Sequence, residues 1–149
     1  MSSVRHPNIT QFLGICFFPG TKLPILVMER LERNLDDLIE NTPSLPLPLK
    51  CSLLEDVASG LLYLHKKQPP IIHRDLTARN VLLTSSLQAK ITDLGNSRIA
   101  SSNWLASKKL TKIPGTLVYM PPEAESSYGP PLDIFSFGQL GLYTVIQVT

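Results

Sequence analysis

Between two apolar runs, residues 71–83 read IIHRDLTARNVLL and set His73, Arg74, Asp75, Arg79 and Asn80 where a core would otherwise continue. Burying an unpaired charge is expensive. The fold must therefore bring this cluster to a surface, pair it internally, or give it something charged to hold. What flanks it narrows the choice. Residues 50–66 carry Leu53/Leu54, Val57/Ala58, Leu61/Leu62 and Leu64/His65 at i, i+3/i+4 spacing, with Glu55 and Asp56 on the other face. That spacing predicts an amphipathic helix, which QPP ends. After the cluster, VLL (81–83) and AKITDLG (89–95) read as short strands around the turn TSSLQ. The polar knot thus lies between a helix and a strand pair, in an α+β arrangement.

The remaining segments fit one domain. NITQFLGICFF (8–18) and KLPILVMERL (22–31) are β-rich runs about the turn signal PGT, a hairpin pattern. LERNLDDLIEN (31–41) places Leu35, Leu38 and Ile39 at helical spacing behind Asn34, a good N-cap. The proline-bearing TPSLPLPLK (42–50) predicts a loop. Residues 96–130 are polar and irregular over a length usually kept for functional connections. LDIFSFGQLGLYTVIQV (132–148) is apolar almost all round, which predicts a buried helix. At 149 residues and 43% hydrophobic content, the chain can bury a real core. A net charge of +2 is too balanced to argue for nucleic acid or membrane binding. No apolar stretch approaches the roughly 18 residues of a membrane span, and no leader pattern opens the chain, so a soluble cytoplasmic location is expected. Cys16 and Cys51 are far apart and form no CxxC, which predicts two buried thiols in a reducing compartment.

Asp75, Asn80 and Asp93 are hard oxygen donors of the kind Mg²⁺ takes when it shares its remaining positions with phosphate and water. Taken singly, Asp93-Leu94-Gly95 is also a plain turn and Arg74–Asp75 a local ion pair. The order HRDLTARN, strand, turn, strand, DLG favours the phosphate-and-metal reading.

HRDLTARN satisfies the pattern H-R-D-L-x-x-x-N at every specified position, and through it the chain resembles the catalytic domain of eukaryotic protein kinases, of tyrosine-kinase-like or tyrosine kinase type. DLG looks like D-F-G with Leu94 for Phe, and PPE (121–123) like A-P-E with Pro121 for Ala. RHPNITQFLG, LVMER and DIFSFG are similar to the family's segments after helix C, into the hinge, and at the start of helix F. The matches span the chain in the family's order. The resemblance implies a partial protein-kinase-like fold, with an N-lobe remnant at 1–28, a hinge at 29–33 and part of the C-lobe at 34–149, ending within helix F. It also implies ATP and Mg²⁺ as cofactors and a protein substrate.

The same resemblance assigns roles. Asp75 would accept the proton of the attacking hydroxyl, Asn80 and Asp93 would hold the metal, and Arg79 would lie near the substrate hydroxyl. Glu29 and Leu31 would offer backbone groups to adenine, with Met28 as gatekeeper and Leu82 under the ring. Phe12, His73 and Leu94 would stack as a regulatory spine anchored at Asp133. Arg74 would grip a phosphate on the activation segment, residues 93–123. Ser101, Ser102, Ser107 and Thr111 are candidate phosphorylation sites, against a simple solvated loop. Glu123 would pair with an arginine that this stretch does not contain. GTLVYMPPE leans towards serine or threonine as acceptor and Thr77, where serine/threonine kinases carry lysine, towards tyrosine; the former is favoured. No G-x-G-x-x-G, V-A-I-K lysine or helix C glutamate occurs. Two functions therefore stay open. One is a protein kinase. The other is an impaired kinase-like fragment that acts by binding, with a full-length relative or regulatory domains as partners.

Overall fold

A leucine-rich helix organises the fold. The computed structural model describes residues 4–20, 22–99, 119 and 129–146. In chain order these form β1 (Phe12–Phe17), β2 (Pro24–Met28), β3 (Arg33–Asn34), α1 (Leu35–Glu40), α2 (Leu47–His65), β4 (Ile71–Ile72), β5 (Val81–Leu83), β6 (Ala89–Ile91), β7 (Arg98–Ile99) and α3 (Pro130–Ile146). Short 3-10 turns occupy Ala78–Asn80 and Leu94–Asn96. The organising helix is α2, which buries Leu53, Val57, Gly60, Leu61 and Leu64 and packs against β6 and α3.

Residues 42–50 are not all loop, as their prolines suggested. The helix already begins at Leu47, with Pro46 as N-cap and Pro48 in the first turn. Proline is tolerated there because the first N–H groups of a helix have no intrahelical partner to lose. The shorter helix α1 starts where its cap was expected. The Asn34 side chain accepts from the Asp37 N–H at 2.8 Å, and the Asp37 carboxylate accepts from the Asn34 N–H at 3.4 Å, a reciprocal capping box.

The hairpin is present: β1 and β2 pair antiparallel from Phe12↔Met28 to Phe17↔Pro24, with an irregularity between Phe12 and Gly14. A second antiparallel sheet has the order β3-β5-β6, and β4 pairs with β7. The two-residue strands β3, β4 and β7 have no sequence signature, since neither alternation nor composition can show over so short a run. One apolar cluster joins Leu35, Leu38 and Ile39 of α1, Leu53, Val57 and Leu61 of α2, Val81 and Leu83 of β5, Ile91 of β6 and Leu140 of α3. Leu76 completes it from within the polar knot and is fully buried.

Two expectations are corrected. The thiols of Cys16 and Cys51 are exposed, one on the thinly covered hairpin and the other on the outer face of α2. Helix α3 is also not buried all round. It packs against α2 and β4 through one stripe that includes Leu132 and Leu140, while Ile134, Leu142, Val145 and Ile146 remain exposed. Its apolar circumference exceeds what its neighbours among the described residues cover.

Residues 8–10 run alongside β6. Ile91 N–H donates to Asn8 O at 2.9 Å, Thr10 N–H to Ile91 O at 2.8 Å, and Asn8 Nδ2 to Ala89 O at 3.1 Å. Gly60 lets α2 approach this junction. A Cβ on it would stand 2.8 Å from Asn8 O and 2.9 Å from Ile91 Cδ1. Since Asn8 O is fixed by its hydrogen bond, Gly60→Ala should destabilise the chain by about 1–3 kcal/mol in urea denaturation. That loss should exceed the helix-propensity gain of about 1 kcal/mol that alanine brings.

Candidate active site

The polar knot folds on its own backbone first. Asn80 closes the 3-10 turn by donating its N–H to Thr77 O at 3.0 Å, and its side-chain Nδ2 donates to the Asp75 carbonyl at 2.7 Å. Its carbonyl accepts from Thr92 N–H at 2.9 Å. One asparagine thus ties the backbone of residue 75 to that of the residue before Asp93. With Nδ2 committed to Asp75, the Oδ1 end of Asn80 remains for a ligand.

His73 reinforces the same junction from beneath. It is fully buried, its Nε2 lies 2.8 Å from Thr92 O, and Asp75 N–H approaches its Nδ1 at 3.3 Å. A carbonyl can only accept and an amide N–H can only donate, so the imidazole is neutral with its proton on Nε2. Thr92 is consequently gripped at its carbonyl by His73 and at its N–H by Asn80.

Asp133, in the first turn of α3, anchors the other end. Its carboxylate is wholly buried, with Oδ2 accepting from His73 N–H at 2.9 Å and Oδ1 from Arg74 N–H at 2.9 Å. His65 Nε2, at the end of α2, donates to the same Oδ2 at 2.7 Å. The sequence reading missed His65, having counted it in the apolar stripe of its helix. A signal was present in Asp133, a carboxylate in an apolar helix that has to find donors. Arg74 and Asp93 have φ of 73° and 58°, left-handed values that cost a non-glycine residue about 1–3 kcal/mol each. The first is held by Asp133; the second places its own Oδ1 3.2 Å from Gly95 N–H, which donates to it.

Asp93 is exposed and opens on a cavity of about 80 Å³ lined also by Thr10, Phe12, Met28, Thr92 and Leu94. Phe12 and Leu94 thus both line this cavity, and His73 is hydrogen-bonded to a third lining residue, Thr92. Just after β2, Glu29 N–H donates to Gln11 O at 3.0 Å, which leaves only the carbonyl of that residue for a ligand. Its side chain accepts from Lys90 Nζ at 2.8 and 2.9 Å and from Gln11 N–H at 2.7 Å. Burial works to raise the Glu29 pKa, but the Lys90 ammonium and the Gln11 amide outweigh it and hold the carboxyl below its usual range. Leu82 is half-buried in the middle strand β5, paired with Asn34 and Lys90, and Leu31 is half-buried just ahead of β3.

Arg79 is the sequence-named residue whose side chain turns to another partner. Its side chain is 80% exposed, and Nε donates to Asp36 Oδ2 at 2.9 Å. Asp36 Oδ1 accepts from Tyr143 O–H at 2.8 Å, so α1, the polar knot and α3 meet at one carboxylate. Neither Asp36 nor Tyr143 was singled out from the sequence, because residues 36, 79 and 143 have no local relation. Burial, followed by the hydrogen bond to Asp36, pushes the Tyr143 pKa up to about 12. A proton bound more tightly when folded stabilises below pH 10, where the unfolded tyrosine is protonated too, and that stabilisation is lost between pH 10 and 12. Denaturation midpoints measured across that window should fall, and Tyr143→Phe should flatten part of the fall. Tyr119, raised chiefly by burial, accounts for a further part.

Ser101, Ser102, Ser107, Thr111 and Glu123 lie outside the described residues. Among the described residues no group of three or more His, Cys, Asp or Glu forms a metal cage. The donors at hand, Asn80 Oδ1 and the exposed Asp93 carboxylate, are few, hard and open to solvent. That set fits Mg²⁺ shared with phosphate and not a closed protein site.

Residues 1–147 match the family model described as protein tyrosine and serine/threonine kinase, and the chain belongs to that family. It is 38% identical over 143 residues to a probable serine/threonine-protein kinase of Dictyostelium discoideum, covering 93% of this chain and 14% of that protein. It is 33% identical over 142 residues to the dual specificity protein kinase shkC of the same organism, covering 93% and 28%. U-box domain-containing protein 52 of Arabidopsis thaliana is 36% identical over 148 residues, covering 93% and 17%. The chain thus spans less than a third of the length of each of these relatives. Its mixed α/β architecture, with small sheets and few helices, is that of a partial kinase fold. No helix among the described residues is long and apolar enough to cross a membrane.

Proposed function

We propose that this chain is the catalytic segment of a protein kinase that transfers the γ-phosphate of ATP to serine or threonine hydroxyls of a protein substrate. The observation that carries the reading is the bridging of Asp75 and Thr92-Asp93 by Asn80. Asp75 accepts the proton of the attacking hydroxyl. Its backbone is fixed on both sides, by His73 Nδ1 at its N–H and by Asn80 at its carbonyl, so its position is set before substrate arrives. Asn80 and Asp93 would hold Mg²⁺, which neutralises charge on the phosphates when bound. The Glu29 carbonyl and the Leu31 backbone would offer hydrogen-bonding groups to adenine, and Met28 and Leu82 would supply apolar contact. Arg79, steered by Asp36, stands at the substrate side. Phe12, His73 and Leu94 form the spine that couples residues 1–28 across the hinge, 29–33, to residues 34–149. Arg74 would grip a phosphate carried on Ser101, Ser102, Ser107 or Thr111, and Glu123 would pair with an arginine from elsewhere in the kinase domain. Relatives named as serine/threonine and dual-specificity kinases support the choice of acceptor. Balanced charge speaks against nucleic acid as partner, and two exposed unpaired cysteines suit the reducing cytoplasm.

The second reading, a kinase-like binding module, is favoured by the apolar side chains exposed on β1 and β2, among them Leu13, Ile15, Phe17 and Leu26. Transfer of labelled phosphate to serine, threonine and tyrosine peptides separates the two. The chain should act on serine or threonine with Mg²⁺, and Asp75→Asn should lose at least about 100-fold in rate. Equal transfer by wild type and variant would refute the enzymatic reading.

A further inference from the structure

On the side of β6 occupied by the 4–11 segment, a second and larger cavity of about 440 Å³ is lined by Arg5, His6, Pro7, Ile9, Gln11 and Lys90. Its lining holds two permanent cations, an imidazole and an amide, and no carboxylate. We propose that this cavity is a binding site for a phosphate-bearing anion, separate from the site of phosphate transfer.

The walls are built to hold their shape. His6 stacks on Tyr63 of α2 at 4.8 Å between ring centroids, and its Nδ1 accepts from Asn8 N–H at 3.2 Å. Tyr63 O–H accepts from Arg5 N–H at 3.0 Å, and the Lys67 ammonium lies 4.2 Å over the Tyr63 ring. The backbone of Arg5 is thereby pinned, while its guanidinium is exposed and makes no hydrogen bond or ion pair among the described residues. Opposite it, Lys90 directs two of its three N–H donors to Glu29, which leaves the third. Glu29 itself is not part of the lining. Lys90 shares its charge with Glu29, so the net positive charge of this concave patch, over an apolar floor of Pro7 and Ile9, comes from Arg5. Arg5, Lys90 and the Gln11 side chain all line the cavity, and their N–H donors suit a tetrahedral oxyanion, which can accept from several directions at once. The volume admits a phosphorylated side chain as readily as free phosphate.

The test is a titration of the whole chain at low salt with inorganic phosphate and with O-phosphoserine, followed by amide chemical shifts. Saturable shifts concentrated at residues 5–11 and 90 are expected. Arg5→Gln, which removes an exposed cation and leaves the backbone bond to Tyr63, should weaken binding about tenfold, the equivalent of one charge-assisted hydrogen bond. Arg5→Glu should abolish it, with the denaturation midpoint of both variants unchanged. Tighter binding of O-phosphoserine would mark a protein-borne ligand, and tighter binding of inorganic phosphate a free one; either supports the site. Shifts confined to residues 75–80 and 93, absence of saturation, or affinity indifferent to Arg5 would overturn it. The prediction does not depend on whether the chain transfers phosphate.

Discussion

Asp133→Ala should lower the unfolding free energy by about 3–5 kcal/mol, the largest loss expected from any one polar substitution in this chain. Three donors converge on that carboxylate: the N–H groups of His73 and Arg74 and the His65 imidazole. Alanine offers no acceptor, and a cavity the size of a carboxylate gives water little room to replace one. The backbone at Arg74 would also lose the bond that holds it left-handed, and would relax towards an ordinary conformation. Asp75 follows directly in the chain, so the damage extends to the carboxylate proposed as catalytic. Asp133→Asn should cost less, since one oxygen still accepts, while its NH₂ group faces a donor it cannot satisfy. Urea denaturation of the two variants against His65→Ala gives the ranking. His65→Ala should be mildest because it removes one of three donors and leaves the carboxylate two. A loss below about 1 kcal/mol for Asp133→Ala would show that the three donors find other partners.

Asn80→Ala should abolish Mg²⁺-dependent phosphate transfer, by at least about 100-fold, at a stability cost of only about 1–3 kcal/mol. The two effects have different origins. Stability falls because the Asp75 carbonyl loses its 2.7 Å donor. On the function proposed above, transfer falls further because the same side chain would supply Oδ1 to the metal, and because Asp75 is no longer held at its carbonyl. Asn80→Asp separates these contributions. It keeps an oxygen for the metal, lacks the N–H for Asp75, and adds a charge near two carboxylates. Its dependence on Mg²⁺ concentration should persist with reduced maximal rate, whereas the alanine variant should respond to Mg²⁺ weakly or not at all. Wild-type transfer by Asn80→Ala would remove this residue from the metal site.

Much of the fold was legible from local pattern. The periodicity at 53, 57, 61 and 64, the Asn34 cap and the PGT hairpin each depend on residues close in sequence, and each reappears in the structure. Where local rules failed, a tertiary condition intervened. Pro48 entered α2 because it fell in the first turn, and Cys16 and Cys51 stayed exposed because thiols follow the surface they are assigned. The site was partly legible as well. HRDLTARN and DLG named Asp75, Asn80 and Asp93, yet the anchor of the residues just before Asp75, the pair His65 and Asp133, joins positions 68 residues apart.

Side-chain types and their spacing were enough to name a helix, a hairpin, a strand pair and the oxygen donors between them, because those features obey neighbour-to-neighbour geometry. Which way Arg79 turns, what satisfies a carboxylate inside an apolar helix, and that cationic groups from positions 5 and 90 face one cavity depended on packing between distant segments. A buried charge accepts whichever donors the assembled fold delivers, and no stretch of adjacent residues specifies those in advance.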